Sequence, residues 1–234
     1  MAARLLCGIF VGGQSRRMGG HPKGLLPAPK NAADSPAEST SAAPIAKKTT
    51  TLVGRLVAIA QGLDLPVCLV GQHAEYAGLG LSLLADQPPG RGPLGGLAAL
   101  LGAARETGAE GAIALSCDLP FLGPRLLARL IAAPTEHSVA AAPLWQPADR
   151  DAPIWEPLCA RYSIAFLPLL QQAMAQGARS LQPILSQAGT LPLALDSDEQ
   201  AQVRDWDSPD DLPAELAAAL PEALAAEWAA RLRR

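Results

Sequence analysis

Arg4-Leu5-Leu6-Cys7-Gly8-Ile9-Phe10-Val11-Gly12-Gly13, continued by Gln14-Ser15-Arg16-Arg17-Met18-Gly19-Gly20-His21-Pro22-Lys23, is the stretch on which the reading of this chain turns. Arg4–Val11 is apolar after its first residue and stops at a glycine pair, which predicts a short strand buried on both faces. The residues that follow are polar and glycine-rich, and they carry Arg17 and Lys23. Glycines directly after a strand let backbone N–H groups reach phosphate oxygens with no Cβ in the way. An arginine fork grips such oxygens in pairs, and a lysine adds a compact charge. The stretch therefore reads as a strand feeding a phosphate-binding loop. It is neither a Gly-x-x-x-x-Gly-Lys-Ser/Thr loop nor a Gly-x-Gly-x-x-Gly fingerprint. A solvated basic surface loop is the reading that the glycines alone would allow.

Outward from this stretch, apolar runs alternate with helical patterns. Thr51–Leu63 places Leu52, Val53, Leu56, Val57, Ile59 and Ala60 at helical spacing behind Thr51 as N-cap. Pro66–Val70 and Leu81–Ala85 read as buried strands, Gly95–Arg105 as a helix and Gly111–Ser116 as a fourth strand. Leu126–Ala132 reads as a helix, and Ser138–Pro143 and Pro157–Tyr162 as strands. Ile164–Gln176 and Ser180–Gln187 read as helices, and Gln202–Trp206 as a last strand. Strands that are apolar throughout and alternate with helices predict a single α/β domain, its mostly parallel central sheet covered by helices on both faces. Such sheets bind ligands at the carboxyl ends of their strands. The domain is expected to span 1–212. Within it, 28–50 is expected to be a flexible insertion, because Asn31–Pro44 is Ala, Ser, Thr and Pro with almost nothing to bury. An Ala/Leu/Glu/Arg-rich helical tail is expected over 213–234.

The 234 residues are 49% hydrophobic, enough for a globular core, and the net charge of −3 offers no basic surface for nucleic acid. No apolar run is long enough to span a membrane, and Met1–Phe10 is too short for a signal peptide. Cys7, Cys68, Cys117 and Cys159 form no Cys-x-x-Cys pair and read as buried reduced thiols, which fits a cytoplasmic protein. His21, His73 and His137 have neither ligand nor triad spacing, and Ser15 and Ser116 lack a partnered base, so hydrolase chemistry is not expected.

Three further constellations follow predicted strands. Asp118, in Ser116-Cys117-Asp118-Leu119-Pro120, is a hard oxygen donor suited to a Mg²⁺ ion that bridges nucleotide phosphates. Capping of the next turn is its structural alternative. Asp86 opens Asp86-Gln87-Pro88-Pro89-Gly90-Arg91-Gly92-Pro93-Leu94-Gly95-Gly96, whose glycines allow close approach to a base, with Asp86 accepting from a guanine N1–H and amino group. Its alternative is a structural loop. Asp205 and Asp207 alternate along the expected last strand and point to opposite faces. Asp207 is the one expected to complete the Mg²⁺ site, while Ser208-Pro209 starts a helix.

In this order the motifs resemble the molybdenum cofactor guanylyltransferase family. The resemblance is carried by Phe10-Val11-Gly12-Gly13, Arg17-Met18-Gly19, Lys23-Gly24-Leu25-Leu26, Gly92-Pro93-Leu94-Gly95-Gly96 and Cys117-Asp118-Leu119-Pro120. Glu156-Pro157-Leu158-Cys159, Gly177-Ala178-Arg179-Ser180-Leu181 and Asp207-Ser208-Pro209-Asp210-Asp211-Leu212 continue it. The resemblance implies a Rossmann-like nucleotidyltransferase domain and GMP transfer from GTP to the terminal phosphate of molybdopterin, with release of pyrophosphate. It implies GTP contacts from Phe10, Val11, Gly12, Gly13, Lys23, Asp86 and Asp118, and Mg²⁺ on Asp118. Arg17, Lys23 and Asp118 would be the catalytic residues. Molybdenum-molybdopterin would be the acceptor, with molybdoenzymes or their chaperones as downstream partners. The chain departs from the family at Val11, where Ala is usual, and at Val70-Gly71-Gln72, where the family often has Asn. It departs again at Asp205-Trp206-Asp207, where Asn-x-Asn is frequent and where this ending is nearer the cytidylyl relatives. A cytidylyl- or sugar-phosphate nucleotidyltransferase of the same fold, or a non-catalytic GTP-binding module, remains as the alternative.

Overall fold

The computed structural model of the chain describes residues 4–12, 22–29, 51–71, 74–134, 137–147 and 150–206. Gly13, Arg17, Asp207, nearly all of the 28–50 insertion and the 213–234 tail lie outside the described residues.

The strands are β1 (Leu5–Phe10), β2 (Val67–Val70), β3 (Leu83–Leu84), β4 (Gly111–Ser116), β5 (Ala140–Trp145), β6 (Ile154–Trp155), β7 (Cys159–Ser163) and β8 (Leu191–Leu193). They form one sheet in the order β3-β2-β1-β4-β7-β5-β6, with β8 paired to β5. The pairs β1–β2, β1–β4, β2–β3 and β5–β8 are parallel. The pairs β4–β7, β5–β7 and β5–β6 are antiparallel. This is the expected α/β domain with a mostly parallel sheet.

Six helices complete the described chain: α1 (Leu52–Gln61), α2 (Pro93–Glu106), α3 (Pro124–Ala132), α4 (Phe166–Ala175), α5 (Gln182–Gln187) and α6 (Ser197–Gln202). Successive strand residues face opposite ways, so β1 feeds two cores at once. Cys7 and Ile9 pack with Val53 and Leu56 of α1 and with Leu126 and Leu130 of α3. Phe10 packs on the other face with Leu97 and Leu101 of α2 and Phe166 of α4. The second face is built of small residues. A Cβ on Gly8 would lie 2.6 Å from Leu100, and one on Gly96 would lie 2.8 Å from the Phe10 ring. Glycine on both partners is what lets α2 lie this close to the sheet. The helix opens at Gly92, with φ +55°, and carries Pro93 in its first turn, where a missing N–H costs nothing. The Thr51 hydroxyl accepts from the Gly54 N–H at 3.2 Å, as its N-cap reading requires.

Two expectations need correction. Leu81–Ala85 is not a buried strand: only Leu83–Leu84 pair, at the sheet edge, and Leu83 is exposed. An edge strand has one free side, so apolar residues there do not imply burial. Gln202–Trp206 is not a strand either. Asp196 caps α6, accepting from the Glu199 N–H at 2.9 Å while the Glu199 carboxylate accepts from the Asp196 N–H at 3.2 Å. This reciprocal box turns Ser197–Gln202 into a helix, so Asp205 does not sit on a pleat. The short strands β6 and β8 had no sequence expectation, being too brief to display a period.

Candidate active site

The carboxyl ends of β1 and β4 lie side by side, and the Cys117 N–H donates to the Phe10 carbonyl at 3.1 Å just beyond their last paired residues. Asp118 leaves β4 at this point. Its two carboxylate oxygens have different partners: the Ser116 hydroxyl donates to Oδ1, and Lys23 Nζ donates to Oδ2 at 3.3 Å. Both members of the ion pair are mostly shielded, with side chains 15% and 16% exposed. Lys23 arrives on a 3-10 turn over Lys23–Leu25, closed by Leu25 N–H to the Pro22 carbonyl and Leu26 N–H to the Lys23 carbonyl, each at 3.0 Å. This turn rests on Tyr76, whose buried hydroxyl accepts from the Gly24 N–H at 3.1 Å. A Cβ on Gly24 would stand 2.8 Å from that hydroxyl and 3.3 Å from the Cys117 Cβ, so residue 24 must be glycine for Lys23 to reach Asp118.

On the far side of Asp118, β6 breaks off before β7 begins. At this interruption the Ser116 N–H donates to the Leu158 carbonyl and the Glu156 N–H to the Pro143 carbonyl. Trp145 Nε1–H donates to Glu156 Oε1 at 2.7 Å. Burial pushes the Glu156 carboxyl up to about 7, against the pull of the indole N–H, and the negative charges of Asp205 and Asp118 push the same way. Three carboxylates from distant parts of the chain thus share one field. Trp206 closes this side, its N–H donating to the Asp118 carbonyl at 3.1 Å.

Asp86 follows β3 and so lies on the other flank of the β1 end, with Val11 and Gly12 between it and Asp118 in strand order. Its Cβ sits 3.2 Å from the Cβ position of Gly95, over the first turn of α2, and burial raises its pKa. Gly12 meets the backbone of Gly71, where φ is +123° and a Cβ would fall 2.5 Å from the Gly12 nitrogen. The Phe10 side chain is core, against Gly96 and Val70, and Val11 is buried. All four cysteines are free and buried, as expected, and Cys117 has its pKa pushed up chiefly by desolvation. Among the described residues no helix is long and apolar enough to cross a membrane.

The structure therefore brings Lys23 and Asp118 together beside the end of β1, with Asp86 on the same edge of the sheet. Sequence reasoning missed Ser116 and Tyr76 as supports of this pair, and gave no role to Trp145, Glu156 or Trp206. Glu156 lay in a quoted motif, but its facing Asp118 follows from an antiparallel pairing that no local pattern announces.

The same fold is seen in a solved structure of molybdopterin-guanine dinucleotide biosynthesis protein A from Archaeoglobus fulgidus, with TM-score 0.63 and 18% identity, covering 98% of this chain and all of that one. With a nucleoside triphosphate transferase family model matched across the strands that build this site, the chain is a nucleotidyltransferase enzyme. It belongs to the MobA-like NTP transferase domain family, matched over residues 7–191. A molybdenum cofactor guanylyltransferase of Pseudomonas entomophila is 29% identical over 210 residues, 88% of this chain and 95% of that protein. One from Rhodobacter capsulatus is 33% identical over 132 residues, 56% of this chain and 59% of that protein.

Proposed function

We propose that this protein transfers GMP from GTP to the terminal phosphate of molybdenum-molybdopterin and releases pyrophosphate. The observation that carries the proposal is the shielded Lys23–Asp118 pair at the joined ends of β1 and β4, in a chain whose relatives bear the name molybdenum cofactor guanylyltransferase.

The donor chemistry around Asp118 suits Mg²⁺, since it consists of carboxylate oxygens and Asp118 already pairs with a cation. When bound there, Mg²⁺ supplies Lewis-acid charge at the phosphates. Asp118 would hold it, with Asp207 as the second protein ligand.

An oxygen of the acceptor phosphate attacks the α-phosphorus in line; that P–O bond forms as the bond to the bridging oxygen breaks, and the electron pair leaves with pyrophosphate. An acceptor phosphate that is already ionised needs no general base. Lys23 and Arg17 offset charge on the transferred group and the leaving pyrophosphate. Gly12 and Gly13 give the backbone access to the nucleotide beside Phe10 and Val11, and Asp86 accepts from the guanine N1–H and amino group. The protein would act in the cytoplasm, handing its product to molybdoenzymes or their chaperones.

Binding of GTP and CTP with Mg²⁺, followed by transfer to molybdopterin, tests this reading. Leaving Asp86 unpaired against cytosine should cost roughly 1–3 kcal/mol, about ten- to a hundredfold in affinity. Equal affinity, or a preference for CTP, overturns the guanylyl reading and leaves the nucleotidyltransferase standing.

A further inference from the structure

We infer that Trp206 is a positioning residue of the transferase site: its indole, set against Phe121, holds the segment after α6 across the loop that carries Asp118, and so fixes where that carboxylate points. The inference rests on the reading of Asp118 as the metal- and phosphate-facing carboxylate.

The loop from Cys117 to Gly123 does little to hold itself. Its one internal backbone bond, Leu122 N–H to the Leu119 carbonyl, is long at 3.5 Å. Its other ties come from outside. The Phe10 carbonyl takes the Cys117 N–H, and Arg55 Nη1 donates to the Leu122 carbonyl at 2.6 Å. Ser116 and Lys23 hold the Asp118 carboxylate itself, and two further ties come from a single short segment: Gln202 Oε1 accepts from the Gly123 N–H at 2.9 Å, and the Trp206 backbone N–H donates to the Asp118 carbonyl at 3.1 Å. Trp206 is 3% exposed, and its ring meets Phe121 edge-on at 5.8 Å with an interplanar angle of 86°, a favoured aromatic geometry. The same loop thus provides both the ring that seats Trp206 and the carbonyl that Trp206 grips.

The segment is itself docked. Glu199 of α6 is buried and paired with Arg129 of α3, whose Nη2 also donates to the Ala194 carbonyl at 3.0 Å. A Cβ on Gly123 would come within 3.0 Å of Gln202 Oε1, so glycine there admits the amide. Asp205, beside Trp206, reaches the Glu156 carboxyl electrostatically. Docking of α6 therefore sets the Asp118 backbone and brings Asp205 to the same field. Small misplacements matter here, since about 1 Å at a reacting group can cost on the order of a hundredfold in rate.

The test uses the full chain with Mn²⁺ as the spectroscopic metal and GTP, without acceptor for the binding measurements and with molybdopterin as acceptor for turnover. Trp206→Ala should weaken Mn²⁺ binding in the presence of GTP about tenfold, change metal-free GTP binding less than about twofold, and lower kcat more than it raises KM. Trp206→Phe, which keeps a ring against Phe121, should restore most of the Mn²⁺ affinity. Phe121→Ala should shift it in the same direction as Trp206→Ala, and decides the matter if Trp206→Ala does not fold. A lower melting temperature with wild-type Mn²⁺ affinity in either alanine variant overturns the inference. Wild-type protein that holds no Mn²⁺ with GTP instead defeats the proposed function, and the inference with it.

Discussion

The two halves of the sheet are built on different terms. In β3-β2-β1-β4 every pair is parallel, and β1 and β4 are apolar on both faces and end at loops that carry chemistry. Beyond β4 the sheet mixes directions: β7 runs against both β4 and β5, β6 breaks away before β7, and β8 returns parallel to β5. The parallel half delivers Asp118 and Asp86 just beyond strand ends, a location set by the direction of the chain, and Lys23 on a 3-10 turn beside them. The mixed half delivers Glu156, Asp205 and Trp206 through a strand interruption, a helix cap and an aromatic contact. One half presents groups by topology, and the other by tertiary packing against it.

The largest expected effect breaks this comparison on the parallel side. Asp118→Asn keeps the size of the side chain and removes its charge, so turnover should fall by several kcal/mol of transition-state stabilisation, on the order of 10²–10³-fold. The circular-dichroism spectrum should not change. Wild-type turnover at saturating Mg²⁺ would refute the role given to Asp118.

Next comes the seam between the halves. An added Cβ on Gly111 would lie 2.2 Å from the Tyr162 carbonyl across the β4–β7 pair. A backbone atom cannot step aside as a side-chain tip can, so Gly111→Ala should cost about 3 kcal/mol in urea unfolding, the upper end for overpacking. If stability is unchanged, the two halves are less tightly joined than the register implies.

A smaller effect sharpens the mixed side. Glu156 has its pKa raised from 4.5 to about 7, so between those values the native state holds a proton that the unfolded chain has lost. Stability then falls as pH rises through that window and stays reduced above it. Glu156→Gln, which still accepts from Trp145, removes this penalty. The variant should be more stable than wild type at pH 8 by up to about 3 kcal/mol and equal to it near pH 4. Parallel stability–pH curves for the two proteins would show that Glu156 is not held in this way.

The smallest effect concerns the insertion. Pro27 pairs with Thr51, and the Leu52 N–H donates to the Leu26 carbonyl at 2.9 Å, so the chain leaves and re-enters at neighbouring points. Replacing Asn31–Pro44 by a short Gly/Ser bridge should change stability by less than about 1 kcal/mol, because loop closure depends only slowly on length. A large fall in melting temperature, or lost nucleotide binding, would show that the segment contributes to the folded domain or its site.

Much of the parallel half was legible because its signals are local. Gly111–Ser116 is a strand with the predicted ends, Thr51 caps α1 as its spacing implied, and Asp118 and Lys23 were singled out by residue type after a strand and a glycine loop. A run apolar on both faces, a cap and a strand-end carboxylate are each specified within about ten residues. Even so, the sequence did not say that Lys23 and Asp118, 95 positions apart, would meet. Meeting required Gly24 to lie flat on Tyr76 and β1 to pair with β4.

The sequence by itself determined the class of the domain, through the alternation of buried strands and helices and the glycine turn after β1. It also supplied the Asp196–Glu199 capping box, on which sequence reasoning made no reading. Only the tertiary structure decided which residues surround Asp118. Glu156 and Trp206 acquire their places from the break between β6 and β7 and from an aromatic contact. These are long-range contacts whose energies depend on neighbours absent from the local sequence, so no window of the chain encodes them alone.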